Sequence, residues 1–148
     1  MTGFGIKISE DNDSARHDGV SYRAMLLTLD NQSTALRVRR YTSTELWIED
    51  QCVRESCILG MGQLRTGWTV SGIASLDRAQ LEPLLELRPR IVLIGQSGPP
   101  AHPPSGLRRE MEALGVALEC MELGAACRTY NLLSQEGREV VAGLILAR

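Results

Sequence analysis

Arg90 to Cys120 reads RIVLIGQSGPPAHPPSGLRREMEALGVALEC. It opens on a continuous apolar, β-branched run, Arg90–Ile94, with none of the polar alternation of a half-exposed strand. Such a run is the signature of a strand covered on both faces, as in parallel sheets. Gly95-Gln96-Ser97-Gly98 follows directly, then a loop with Pro99, Pro100, Pro103 and Pro104. Ser105 stands where a helix cap is expected, ahead of Leu107, Met111 and Leu114 on one helical side. Gly115 ends that helix, and Val116–Cys120 is the next strand. The stretch is therefore one β-α-β unit with parallel strands, in the right-handed sense that about 98% of such crossovers take. The chain belongs to the α/β class.

Downstream, Glu119–Leu146 (ECMELGAACRTYNLLSQEGREVVAGLIL) reads as a strand end, a tight turn, a short helix and a closing strand. Gly124, Ala125 and Ala126 open the helix, which spans Ala125–Glu136 and carries Cys127, Arg128, Thr129, Tyr130 and Asn131. Gly137 sits where a left-handed cap belongs, and Arg138–Leu146 is strand-like. Glu136 with Arg138 suggests a surface pair.

Upstream the pattern is β. Leu36–Val38 and Arg37–Arg39 alternate, Glu45–Ile48 is a second run and Cys52–Leu59 a third, with Glu49-Asp50-Gln51 as a hairpin turn. Gly60, Gly62 and Gly67 loosen the next segment, and Trp68-Thr69-Val70 resumes an extended pattern with Trp68 as a core or edge aromatic. Ser75 is the expected cap of the first helix, with Leu81, Leu84, Leu85 and Leu87 as its apolar face, Pro83 in its first two turns and Arg88-Pro89 at its end. Residues 1–34 are expected to form an N-terminal extension. Its first nineteen residues have the composition of a mobile tail. Val20–Leu29 is a strand, a short helix, or an arm for a partner. Residues 35–148 are expected to be a single α/β domain.

The bulk numbers exclude several classes. A net charge of −2, with 23% charged residues, lacks the basic excess of a nonspecific nucleic-acid binder. No apolar run approaches the roughly 20 residues that cross a bilayer, and the N-terminus does not read as a signal peptide. The expectation is a cytoplasmic chain that is not an integral membrane protein. Cys52, Cys57, Cys120 and Cys127 show no CxxC spacing, and His17 and His102 are the two histidines. No metal or cofactor is expected, and three of the thiols read as small buried hydrophobes, with Cys127 set apart.

Parallel strands end on one edge of a sheet, so the loops after Ile94 and Cys120 project together. Ligands of open α/β sheets bind in the crevice outside the carboxyl ends of the strands. The candidate ligand or partner crevice therefore comprises Gly95, Gln96, Ser97, Gly98, Cys127, Arg128, Thr129 and Asn131. A helix N-terminus and Arg128 would favour a carboxylate, a phosphate or an acidic side chain of a partner. The glycines match neither GxGxxG nor a P-loop. In the first helical turn Cys127 would tend toward thiolate, with His102 as its candidate base.

The segment CMELGAACRTYNLLSQEGREVVAGLI, preceded by strand, Gly95-x-x-Gly98, helix and strand, resembles domain-of-unknown-function family four-nine-eight. A mitochondrial respiratory complex I assembly factor belongs to that family. The resemblance runs from about Arg40 to Ile145. It implies a three-layer α/β domain with a mixed central sheet and a small β-hairpin layer. Relatives usually carry Gly-Thr-Gly where this chain has Gly95-Gln96-Ser97-Gly98, and Met-Asp-Thr where it has Met121-Glu122-Leu123. The resemblance implies protein partners, with contact to membrane complexes made through a partner. The leading expectation is a non-enzymatic interaction module, with respiratory-complex or membrane-protein assembly as its suggested setting. The alternatives are a small-molecule or anion-binding protein and a Cys127-dependent enzyme.

Overall fold

The apolar run after Arg90 does form a strand covered on both faces. In the computed structural model, which describes residues 35–148, eight strands make two sheets. β1 (Val38–Tyr41), β2 (Leu46–Ile48) and β3 (Gln51–Val53) form a small antiparallel sheet in that order. β4 (Cys57–Gly60), β5 (Gln63–Thr66), β6 (Ile91–Gln96), β7 (Ala117–Glu122) and β8 (Val140–Ile145) form the main sheet, in the order β5-β4-β8-β6-β7. β6 pairs in parallel with both β7 and β8, whereas β4 is antiparallel to β5 and β8. The sheet is mixed, and every residue of its middle strand β8 is buried. The expected extension over residues 1–34 lies outside the described residues.

Three helices complete the layers: α1 (Arg78–Leu85), α2 (Leu107–Ala113) and α3 (Leu123–Gln135). Leu81, Leu84, Leu107 and Met111 pack with Trp68, Val92, Leu118 and Val141 on one face of the main sheet. Leu123, Ala126, Cys127 and Tyr130 of α3 pack with Leu59, Leu93 and Leu144 on the other. Val38, Leu46, Ile48 and Val53 of the small sheet join this second cluster. The chain leaves β6 toward β7 over one face, then returns past β6 to β8 over the other. Opposite directions on opposite faces are what two right-handed crossovers require.

Local chemistry sets several boundaries away from the expected places. Asp77, not Ser75, caps α1. Its side chain accepts from the Gln80 N–H while the Gln80 side chain accepts from the Asp77 N–H, a reciprocal capping box. Ser75 instead ends a short 3₁₀ turn, Ile73–Ser75. Gly106, at φ 91, rather than Ser105, precedes α2, which ends at Ala113 and leaves Leu114 49% exposed. The run Cys52–Leu59 is two strands in different sheets, parted by Arg54-Glu55-Ser56, of which the first two are exposed. Nor is the segment after Gly60 loose: Met61 (φ 52) and Gly62 (φ 77) make a two-residue hairpin loop between β4 and β5. Positive φ at both positions matches the right-handed twist of the flanking strands. Trp68–Val70 is not part of a strand, although the Trp68 backbone N–H donates to the Ser56 carbonyl at 3.0 Å. Trp68 is buried and its indole N–H donates to the Gln80 carbonyl at 2.9 Å, fastening this segment to α1.

The cap after α3 is as expected. Gly137, at φ 79, donates to Ser134, and Arg138 donates back to Leu133, the pair of bonds of a Schellman motif. Glu136 and Arg138 make a surface pair at 3.7 Å.

Candidate functional site

The carboxyl ends of β6 and β7 lie side by side, with Gly95 opposite Met121 and Gln96 opposite Glu122. The helices that follow leave to opposite faces, so this edge is a switch point of the sheet. The strand β6 runs two residues further than the sequence pattern suggests. Gly95 and Gln96 are therefore not loop residues but rungs of the ladder.

Gly95 is buried beneath the start of α3. A Cβ built there would come within 2.5 Å of the Ala126 Cβ and 3.2 Å of the Leu123 Cα. The residue is glycine because the helix needs the space. Gln96 turns to the opposite face, where its Oε1 accepts from the Ile73 N–H at 2.5 Å. Ser97 donates through Oγ to the Ser43 carbonyl, in the β1–β2 connection, and through its N–H to Ile145. Only Gly98, at φ 96, is both exposed and open to its surroundings.

The helix side of the crevice also differs from expectation. No tight turn separates β7 from α3. Glu122 ends the strand and caps the helix in one residue, its Oε1 accepting from the Ala125 N–H at 3.1 Å. The backbone N–H groups of Gly124 and Ala125 hold its carboxyl below the usual carboxylate range. A carboxylate of the chain itself thus occupies the helix N-terminus expected to attract an anion.

Because α3 starts at Leu123 rather than Ala125, Cys127 lies in its second turn and faces the core. Burial pushes its thiol up to about 12, with the Glu122 carboxylate adding to the rise against Arg128. The expected thiolate is overturned. His102, its proposed base, is exposed on the proline-rich loop. Of the other thiols, Cys57 is buried and raised to about 12, while Cys52 and Cys120 are half-buried rather than buried.

Arg128 and Asn131 reach the small sheet. Asn131 accepts from the Val38 N–H at 3.0 Å and donates to the Val38 carbonyl at 2.9 Å, pairing with the backbone as a neighbouring strand would. Tyr130 donates from its hydroxyl to the Leu36 carbonyl at 2.9 Å. The Arg128 guanidinium donates to the Tyr41 hydroxyl at 2.6 Å, and Tyr41 lies against Gly124, where a Cβ would meet its hydroxyl at 2.6 Å and its ring at 2.8 Å. Thr129 is half-buried between these contacts. Sequence reading missed Tyr41 and Glu122. Tyr41 lies 87 residues from Arg128, so only the fold brings the two together. What faces solvent at this edge is Tyr41 (38% exposed), Arg128, Glu122 and the Gly98–Pro104 loop.

A family model for proteins of unknown function, DUF498/DUF598, matches residues 38–145. The chain belongs to this family. The match covers both sheets, all three helices and the whole carboxyl edge. Among curated relatives, an uncharacterised Rhodobacter capsulatus protein is 47% identical over 55 residues, 37% of this chain and 44% of that protein. The 13 kDa major membrane protein of Francisella tularensis is 32% identical over 71 residues, 48% of this chain and 58% of that protein. The chain spans about half the length of the curated relatives it matches. The NMR structure of a Xanthomonas campestris protein is similar at a TM-score of 0.69 and 28% identity, over 81% of this chain and 91% of that one. The DUF498 fold here is the mixed α/β sheet with its small antiparallel layer. Among the described residues no helix is long and apolar enough to cross a membrane.

Proposed function

We propose that this chain is a non-enzymatic interaction module that docks a protein partner at the carboxyl edge of its main sheet. One observation carries the reading. The groups at that edge that could do chemistry are sealed or engaged, while an aromatic ring and a guanidinium remain presented together. Cys127 is buried as a thiol, and Glu122 fills the α3 N-terminus. Tyr41 and Arg128, joined by a 2.6 Å hydrogen bond, form an exposed pair. Tyr and Arg are the residue types that most often anchor protein interfaces, because each offers large contact area and directed hydrogen bonds.

The partner class is drawn from similarity. The resemblance to a family containing a respiratory complex I assembly factor favours a client in the assembly of a membrane complex. The name of the Francisella relative, a major membrane protein, points the same way. In this reading the chain is cytoplasmic and reaches the membrane through its partner. Affinity capture with the intact chain, compared with Arg128→Glu and Tyr41→Ala, tests it. The expected result is a partner from a membrane complex that both variants lose while keeping the wild-type melting temperature. Equal recovery by all three proteins would overturn docking at this edge.

A further inference from the structure

The opposite edge of the main sheet holds an open groove of about 500 Å³ between α1 and the loop after α2. Three guanidinium groups border it: Arg78 on α1, then Arg88 and Arg90 on the connection into β6. Glu82 is the single acidic residue of the lining, and it pairs with Arg78 at 3.0 Å. Arg90 makes a looser pair with Glu139 at 3.5 Å, both side chains being more than half exposed. Among the described residues Arg88 has no ion pair. The apolar part of the groove is Leu85, Pro89, Leu114 and Val116, with Leu114 standing 49% exposed at the margin.

Arg88 has φ 57, in the left-handed region that favours glycine. Here an arginine occupies it, three residues past the end of α1 and directly before Pro89. Glycine would take this conformation more easily but would carry no charge into the groove. The lining bears three positive groups against one negative, with Glu139 beside Arg90 as a second carboxylate outside it, which leaves Arg88 as the unmatched charge on a chain whose net charge is −2. Its mouth is broad and its arginines are solvated, unlike the enclosed pockets that bury most of a small ligand.

We propose that this groove is a second docking site, which receives an acidic, leucine-bearing segment of a partner polypeptide. Carboxylates of the segment pair with Arg88 and Arg90, whose planar forks match them in bidentate fashion. Its leucine side chains cover Leu114 and Leu85. The site is independent of the carboxyl edge and stands whether or not that edge docks anything.

The test uses the intact chain and a fluorescein-labelled synthetic peptide of glutamates with leucines at helical spacing, read by fluorescence anisotropy. Two control peptides replace the leucines by serine or the glutamates by lysine. We expect saturable binding of the first peptide and a loss of about tenfold or more with either control or with added salt. Arg88→Gly is the decisive variant. It should weaken binding about tenfold while leaving the melting temperature equal or higher, because glycine relaxes the left-handed position. Arg90→Glu should weaken binding likewise, and Arg128→Glu should not change it. Three outcomes overturn the proposal. They are no saturable binding of the acidic peptide, unchanged affinity in Arg88→Gly, or full displacement by millimolar citrate or phosphate, which would make the groove a small-anion site.

Discussion

Side-chain bonds serve different ends on the two faces of the main sheet. On the face of α1 and α2, Leu81, Leu84, Leu107 and Met111 are packed from water, and side-chain bonds tie the helices to what surrounds them, from Trp68 to Gln80, Arg65 to Pro83 and Arg108 to Leu118. On the face of α3, burial is joined by a set of side-chain bonds to backbone, from Asn131 to Val38 and Tyr130 to Leu36. The reason is geometric. A helix lying on a sheet needs only complementary shape, but a short sheet beside a helix has unpaired strand groups that require partners. Apolar packing sets how firmly a layer is attached. The polar bonds set the register at which the small sheet sits.

Glycine replacements should produce the largest effects and probe both faces. A Cβ at Gly143 would come within 2.6 Å of the Trp68 ring, as one at Gly95 would meet α3. Gly95→Val and Gly143→Val should each cost about 3 kcal/mol or more in denaturant unfolding. A near-native Gly95→Val would show that α3 does not sit close on the sheet. Next, Met111→Ala on the first face should cost about 3 kcal/mol through its cavity. Asn131→Ala on the second face should cost about 2 kcal/mol by leaving Val38 unpaired. In double variants Met111→Ala and Asn131→Ala should add. Asn131→Ala and Tyr130→Phe should not, since both release the same strand. Additivity in both pairs would break the distinction between the faces.

Two pH effects sharpen the same contrast, because the two thiols raised furthest, Cys57 and Cys127, lie on the second face, whereas Cys120, raised to about 11, packs against the first. Their folded values, about 12, stand above the ordinary 9.0. The neutral thiol is favoured in the folded state, so its contribution is complete below about pH 9 and is lost as pH rises toward 12. Stability should fall by on the order of 1 kcal/mol per thiol by pH 10. The Cys57→Ala/Cys127→Ala variant should show a shallower alkaline decline. The smallest effect belongs to Glu122. Its carboxyl is lowered, so its stabilisation is present above the ordinary carboxylate range and disappears as pH falls through the folded value. Glu122→Ala should lower stability by about 1 kcal/mol or less near neutral pH, and the difference from wild type should vanish in acid.

The parallel unit could be read from sequence because covering a strand on both faces constrains its composition at every position, and Ile91–Ile94 obeys. The Gly137 cap could be read because few residues tolerate a left-handed turn. The exposure of Leu114 could not. Leu107, Met111 and Leu114 have helical spacing, yet the Gly115 cap stops the helix before Leu114 turns inward. The split in Cys52–Leu59 was hidden because three polar residues in an apolar run, Arg54-Glu55-Ser56, look like an interruption rather than a change of sheet. The crevice was hardest to judge. Asn131 and Arg128 are residue types that serve ligands and backbone equally well. The choice here depended on Val38 and Tyr41, some ninety positions away in the chain.

The junction of β7 with α3 has a bearing on how this chain can vary. Glu122 is the last residue of one element and the cap of the next, with no connecting residue between them. One residue added after Glu122 would rotate the helix by about 100° and advance it by about 1.5 Å. Ala126 would then leave Gly95, and Asn131 would leave Val38. The loop from Gly98 to Gly106 meets no such demand, since it enters α2 without a side-chain cap. Length changes should therefore accumulate in that loop and be absent at the junction. The point after Glu122 is a fixed origin from which the positions along α3 are measured.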